Sequence, residues 1–486
     1  MARITVVAVT KAWEEDELAT SNESRSEVPH VVVIGGGFGG LYAARGLARA
    51  PVRVTLIDRH NYHLFRPMTY QVATGLLSGD EIAPPLRSIF SKQRNIEVLM
   101  DEVSGVDTSN KLIRLQHREL HYDFLILATG IRYNYFGHDD WEQVAPGLDS
   151  IDDADRIRGK VLSAFEAAEN IAAAGDASSD SIRELLTFVI VGAGTAGVEM
   201  AGTLAEMSRM SLAHDFRHID TRSTQILLFE AGPRILATYH EDLSKQAHRH
   251  LERLGVEIHT QSRVERVDKE GITVNGERVR SRTVVWCAGV LASPAAKWLG
   301  VAGDRSGRVK VEPDLSVAGE VDVFVIGDTA ELVAETRNLL GFRLREPEPM
   351  PGVAQVAIQE GKYVARLIRR RTTGRPAPSS FWYWDKGNLA VVGRTYAIAD
   401  LRFWRSSGFI AWLLWAGVHI YFLIGFANRI FVSVKWVMSF LTDDRTARIF
   451  PSEQAAVEVV NGELFDPAPQ NPTGARVTPN PTKGPL

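Results

Sequence analysis

The sequence predicts an α/β fold assembled from two copies of one plan and followed by a helical C-terminal segment. Three observations predict it. A strand, a glycine-rich turn, a helix and a second strand ending in an acid occur near the start. The same order recurs 157 residues later, and a long apolar stretch follows residue 400.

The first unit is "HVVVIGGGFGGLYAARGLARA". Val31 to Ile34 form a β-branched run suited to a buried parallel strand. Gly35, Gly37 and Gly40 then give G-x-G-x-x-G ahead of a stretch rich in Ala, Leu and Arg, and the next strand, "VRVTLID", ends at Asp58, eighteen residues past Gly40. Glycines in this order let the backbone turn tightly and approach a pyrophosphate, whose charge sits at the helix N-terminus. The pattern therefore predicts a dinucleotide site, with Asp58 accepting from a ribose hydroxyl.

The second unit, "LLTFVIVGAGTAGVEMAGTLAEM", supplies Gly192, Gly194 and Gly197, and its second strand, "TQILLFEAGPRIL", carries Glu230. Glu230 lies thirty-three residues past Gly197, so a longer helix and a polar loop are expected in the crossover. Two such units imply two dinucleotides, and a chain holding two most simply passes electrons between them. An acid at the end of the second strand favours NADH, because it repels a 2′-phosphate. Arg234 is close enough in sequence to soften that preference, and it also reads as a solvated loop charge.

Composition narrows the alternatives. At 486 residues two or three domains are expected. A net charge of -4 gives no support for a nucleic-acid partner. A hydrophobic content of 45% is ordinary for a globular protein, so any membrane contact is local. Cys287 is the single cysteine, which excludes an intramolecular disulfide, a dithiol pair and a Cys-based metal site and fits a reducing compartment. No metal-site spacing is present, and none is predicted. Residues 1–28 read as a flexible leader without a secretory signal, and residues 451–486, rich in Pro, Asn and Thr, read as a disordered tail.

These residues resemble the two-dinucleotide-binding flavoproteins, which hold FAD in the first unit and NAD(P)H in the second, the NADH domain being inserted into the FAD domain. "YDFLILATG" (122–130) is similar to the turn leaving the FAD domain, with Thr129 and Gly130 at its end. "TVVWCAGV" (283–290) resembles its NADH counterpart, with Ala288 and Gly289. "DVFVIGDTA" (322–330) resembles the late FAD motif, which assigns Gly327 and Asp328 to the flavin's ribityl chain. A lone cysteine removes the disulfide reductases and the sulfide:quinone oxidoreductases of this fold.

Three further stretches resemble the type II NADH:quinone oxidoreductases, the single-subunit, non-pumping NADH dehydrogenases of respiratory electron transport. They are "NYHLFRPMTYQVATGLLS" (61–78), "AQVAIQEG" (354–361) and "FWYWDKGNLAVVGR" (381–394). The resemblance implies FAD as cofactor, NADH and a membrane quinone (menaquinone or ubiquinone) as substrates, a monotopic place on the cytoplasmic face of a bacterial plasma membrane, and homodimers in related proteins. Domain limits follow: an FAD domain over 29–150 and 291–380, an NADH domain over 151–290, and a membrane-anchoring region over 381–450. A soluble ferredoxin or rubredoxin reductase is the competing enzyme. It has no use for an apolar tail. A catalytically idle NADH-sensing or scaffold protein is the competing non-enzyme.

Within "AQVAIQEG", Gln355 and Gln359 share a helix face, offering neutral hydrogen bonds among apolar neighbours, as a quinone ring needs. They read equally as two solvated amides. Lys386 is a candidate for balancing charge on a reduced quinone, or a surface lysine paired with Asp385. Glu199, just inside the helix after the second glycine turn, is expected near the nicotinamide, in a proton path or as an N-terminal acid favoured by the helix dipole.

The apolar stretch "GFIAWLLWAGVHIYFLIGFA" (408–427) has the length of a membrane span. Trp412, Trp415, His419 and Tyr421 in its middle, and the amphipathic "RIFVSVKWVMSFL" after it, suit two helices lying in one leaflet. A span and a buried soluble helix pair are the alternatives. The lipid-facing surface is expected within 405–441.

Overall fold

The computed structural model describes residues 28–175, 179–337, 342–442, 445, 447–449, 458–460 and 463–465. The proposed leader lies outside them apart from Val28. So does the tail, except for Glu458–Val460 and Glu463–Phe465, which pair antiparallel.

The chain divides into two compact units: residues 1–61, 86–130 and 292–383, and residues 62–85, 131–291 and 384–486. The first is built on a six-stranded sheet in the order Ser316–Val317, Glu320–Val325, Phe124–Leu127, His30–Ile34, Arg53–Asp58, Ile96–Met100. All neighbours are parallel except Ser316–Val317. Every residue of His30–Ile34 is buried, as a parallel strand covered on both faces requires.

Helix Phe38–Leu47 follows the first glycine turn, and helix Ala354–Thr372, which contains "AQVAIQEG", packs against it. Glycine makes that approach possible. A Cβ on Gly361 would overlap the Gly39 carbonyl oxygen, and one on Gly46 would come within 2.6 Å of the Ala365 methyl.

The second unit carries a four-stranded parallel sheet in the order Val256–His259, Gln225–Phe229, Thr187–Val191, Thr283–Trp286. Helix Thr195–Glu206 follows its glycine turn and continues into a π-helical turn, Met207–Ser211. That turn and a 3₁₀ turn at Thr221–Ser223 occupy the lengthened crossover. The chain closes with an antiparallel meander, Asn388–Val391, Ala397–Asp400 and Arg405–Gly408, and helices Phe409–Phe422 and Phe426–Thr442.

Candidate active site

In the first glycine turn each glycine has its own reason. Gly35 has φ 102° and a Cβ there would overlap the Ala128 carbonyl oxygen, so only glycine fits. A Cβ on Gly40 would overlap the Gly35 carbonyl oxygen. Gly37, the N-cap of Phe38–Leu47, faces open space with nothing within 4 Å. The backbone is thus bare where the helix presents its free N–H groups, the geometry a diphosphate needs. Asp58 accepts from the Gly36 N–H at 2.6 Å through Oδ2 and from the His60 N–H at 2.7 Å through Oδ1. It braces the turn and keeps further lone pairs for a ribose hydroxyl.

Around it the exits of neighbouring strands converge. The Thr129 hydroxyl lies 2.5 Å from that of Ser293 and 3.3 Å from that of Thr329. The Gly130 carbonyl accepts from the Thr329 hydroxyl and the Ser293 N–H. Asp328 stands beside Gly352, where a Cβ would be 3.4 Å from its Oδ1. Glu360 accepts the Gly327 N–H at 2.5 Å. Burial, with a lesser push from Asp328, raises the Glu360 carboxyl to about 8. The residues expected for FAD therefore gather at one end of this sheet, and the bare turn fits a dinucleotide.

The second turn repeats the first. Gly192 has φ 98°, a Cβ on Gly197 would overlap the Gly192 carbonyl oxygen, and Gly194 is open. Glu230 accepts the Ala193 N–H at 2.8 Å and the Gly232 N–H at 2.7 Å. Phe229 registers with Val191 as Ile57 does with Ile34, so the longer crossover leaves the acid at the same place. Arg234 donates to the carbonyls of Leu236, Ala237 and Tyr239, a use that fastens its own loop. The exit turn Cys287–Ala288–Gly289 is held by backbone: Cys287 N–H to Val191 O at 2.7 Å, and the Trp286 indole N–H to Ala288 O at 2.8 Å. Burial pushes the Cys287 thiol up to about 12, which suits a structural thiol.

Glu199 lies in the first turns of Thr195–Glu206 and is buried, its Oε1 3.4 Å from the Val391 N–H that donates to it. Burial raises its carboxyl well above the usual range, which favours the protonated form. Gln355 and Gln359, half-buried, follow the helix start at Ala354, and the Gln359 amide donates to the Gln355 carbonyl at 3.1 Å. Lys386 is exposed, its Nζ 4.6 Å from the Trp384 ring centroid and 5.5 Å from that of Phe422. Asp385 engages Arg402 at 2.6 Å. Gln355 and Gln359 belong to the first unit, Glu199 and Lys386 to the second.

The apolar stretch is two helices. Phe409–Phe422, fourteen residues, is about 21 Å long against a hydrocarbon core of ~30 Å. No helix among the described residues is long and apolar enough to cross a membrane. Gly425, with φ 96°, breaks the chain before Phe426–Thr442. That second helix is inside out. Phe426, Phe431, Val434, Val437 and Leu441 face outward, while Asn428, Lys435 and Ser439 turn toward the protein. Lys435 pairs with Glu81 at 2.9 Å, the Asn428 amide donates to the Glu81 carbonyl, and the Trp436 indole donates to the Gln71 amide oxygen. Trp415 is buried against Trp436 and stacks on His419, whose ring burial lowers to about 4.

Sequence reading missed Glu360, Tyr70, Gln71 and Arg445. Glu360 was visible in principle: it sits four residues from both Val356 and Val364, on the buried stripe of its helix. The others share no local pattern, and only the fold brings them together.

Two family profiles match the chain: pyridine nucleotide-disulphide oxidoreductase over residues 29–361 and the NDH2 C-terminal domain over 385–443. Among curated proteins it is 43% identical over 442 residues to the type II NADH:quinone oxidoreductase Ndh of Mycobacterium tuberculosis, covering 87% of this chain and 91% of that protein. NdhA of the same organism is 39% identical over 88% and 91%. Among solved structures, NDH2 from Plasmodium falciparum in complex with NADH superposes with a TM-score of 0.74 at 20% identity, over 85% of this chain and 98% of that one, which shows a shared fold.

Proposed function

The chain belongs to the type II NADH:quinone oxidoreductases, and from that premise we propose that it oxidises NADH and reduces a quinone dissolved in the bilayer beneath it. The overall change is NADH + H⁺ + quinone → NAD⁺ + quinol, with no proton pumped. The observation that carries the reading is the doubled glycine turn, bare at Gly37 and at Gly194. Bound FAD supplies the two-electron chemistry that links the two substrates.

The protein's own residues bind and orient. Gly35, Gly37, Gly40 and Asp58 hold the FAD diphosphate and ribose, with Thr129, Gly130, Gly327 and Asp328 toward the ribityl chain. Gly192, Gly194, Gly197 and Glu230 hold NADH, with Ala288 and Gly289 at the exit turn. Glu230 disfavours a 2′-phosphate, and Arg234 is spent on its own loop. Gln355 and Gln359 offer neutral amides to quinone carbonyls. Lys386 brings an ammonium to an aromatic surface, the chemistry that balances charge on a reduced ring. Glu199, buried where its protonated form is favoured, gives a proton in this reading and regains it from solvent.

The inside-out terminal helix supports monotopic docking through residues 405–441. A row of Phe, Val and Leu turned outward, with Lys435, Asn428 and Trp436 Nε1 engaged in polar contacts on the inner side, suits a lipid surface better than water. NADH is a cytoplasmic metabolite, so the docking face is the cytoplasmic side of the plasma membrane.

One experiment tests both parts: full-length protein is sedimented with quinone-loaded liposomes and its NADH oxidation is measured. The protein should pellet with the vesicles, and quinone should stimulate NADH oxidation above the oxygen background. Gln359→Leu should cut quinone reduction about tenfold and leave flavin reduction by NADH intact. A flavin-loaded protein without quinone stimulation defeats the enzymatic reading. One that stays in the supernatant defeats the docking.

A further inference from the structure

A basic cleft lies at the C-terminal end of the lipid-facing helix, wholly within the second unit. Its volume is about 700 Å³, within the size range of small-ligand sites, and it stands open to solvent. Arg209, His214, Arg222 and Arg448 line it, with Asp215 the one acid among its described lining residues. Thr442, the last residue of Phe426–Thr442, lines it too. Asp443 and Asp444, next in the chain, lie outside the described residues.

The three arginines differ in what they already hold. Arg448 pairs with Asp215 and donates to the Ser211 carbonyl at 3.3 Å. Arg209, half-buried, donates to Thr224 O at 3.3 Å, to Gly255 O at 3.1 Å and to Ser208 Oγ at 3.4 Å. It meets no carboxylate among the described residues. Glycine gives it room: a Cβ on Gly255, where φ is 82°, would fall 2.4 Å from its Nη2. Burial with no acid beside it lowers this guanidinium from its ordinary value, a penalty that an arriving anion would offset. Arg209 rides on the π-helical turn Met207–Ser211, and such turns interrupt helices frequently at functional sites. Arg222, on the 3₁₀ turn Thr221–Ser223, is exposed, and its side chain has no ion pair or hydrogen bond among the described residues.

We propose that this cleft binds a phosphate group through Arg209 and Arg222. A guanidinium presents its N–H groups in a flat fork that matches two oxygens of a phosphate, and two guanidiniums without a carboxylate leave their charge for the anion. The phosphate is that of an anionic phospholipid headgroup or of a soluble phosphate compound. The place of the cleft favours the headgroup, because the helix that ends there turns Phe431, Val434 and Leu441 outward. Only this lipid source rests on the docking reading above. The anion site itself stands without it.

The test uses full-length flavin-loaded protein, its second glycine turn filled with NAD⁺, in two arms. One titrates inorganic phosphate and glycerol phosphate by calorimetry. The other sediments the protein with phosphatidylcholine vesicles, with and without phosphatidylglycerol. Wild type should bind free phosphate, bind more tightly when phosphatidylglycerol is present, or both. Arg209→Gln and Arg222→Gln should each weaken that binding about tenfold. Arg222→Gln breaks no contact and should keep the wild-type Tm, so its loss is not one of folding. Arg222→Lys should recover part of the loss, since it restores the charge without the fork. Arg266→Gln removes an exposed charge from strand Val264–Asp268 and should leave both arms at wild type. Free-phosphate binding that the two glutamine variants lose supports the site with a soluble source. A gain from phosphatidylglycerol that they lose, without free-phosphate binding, supports it with a headgroup. Protein that takes up phosphate and ignores every vesicle defeats the docking and keeps the site. Neither free-phosphate binding nor a gain from phosphatidylglycerol overturns the proposal. So does binding that survives Arg222→Gln, or equal weakening by Arg266→Gln.

Discussion

The two glycine turns of this chain are nearly superimposable in their chemistry and differ in how they are closed. In both, the first glycine has φ near 100°, the third lies against the carbonyl of the first, and the middle one faces open space. In both, an acid at the end of the next strand accepts two backbone N–H groups of the turn region. Beyond the turn they part. The first is enclosed by hydroxyls of Thr129, Ser293 and Thr329 and by Glu360 holding Gly327. The second opens through Ala288 and Gly289, held by backbone, the Trp286 indole and a Cys287–Tyr133 side-chain contact, with Gly289 and Val290 exposed. The difference fits the proposed division of roles, a resident cofactor where side chains shut the motif in and an exchanging substrate where they do not.

The strongest way to break that comparison is to fill each open glycine. A Cβ at Gly37 or Gly194 meets nothing within 4 Å, so valine there should block ligand and leave the fold intact. Gly37→Val should yield folded protein that purifies without visible flavin absorbance. Gly194→Val should purify yellow, with flavin reduction by NADH about 100-fold slower. Loss of flavin from both variants, or from neither, would erase the distinction between resident and exchanging sites. A smaller effect is expected at the second acid. Glu230→Ala removes a carboxylate and its two backbone bonds, so kcat/KM for NADH should fall about tenfold while that for NADPH stays level. An unchanged preference would show that Glu230 braces the turn without reading the ribose.

Much of this was legible in the residues. The glycine triads, Asp58 and Glu230 announce themselves because backbone conformation restricts what can stand there. Even the irregular spacing to Glu230 proved immaterial, since strand register places the acid and crossover length does not. The aromatic residues of the apolar stretch argued against a span, and no helix among the described residues is long and apolar enough for one. Its division at Gly425, and the inward turn of Lys435 and Trp436, follow from packing that no local pattern reports. Tyr70 and Gln71 stood inside a recognised segment, yet their partner Trp436 lies 365 residues on from Gln71. Hydrogen bonds of that range carry no periodicity to read.

The mildest test sharpens the comparison at its closing residue. Glu360 shuts the first turn as a buried carboxyl bound to the Gly327 N–H, and burial raises it to about 8 from an ordinary value near 4.5. Between those values the folded protein keeps a proton that the unfolded chain releases, so folding stability from this group falls as pH rises through that window. It is fully present below about pH 4.5 and gone above about pH 8. Glu360→Gln keeps an oxygen for Gly327 and cannot ionise. The fall in Tm between pH 5 and pH 8 should therefore be a few degrees smaller in Glu360→Gln than in wild type. Flavin should be retained as well at pH 8 as at pH 5. Parallel Tm profiles would mean that Glu360 ionises in the folded protein as it does in the unfolded chain, so that burial does not hold its proton.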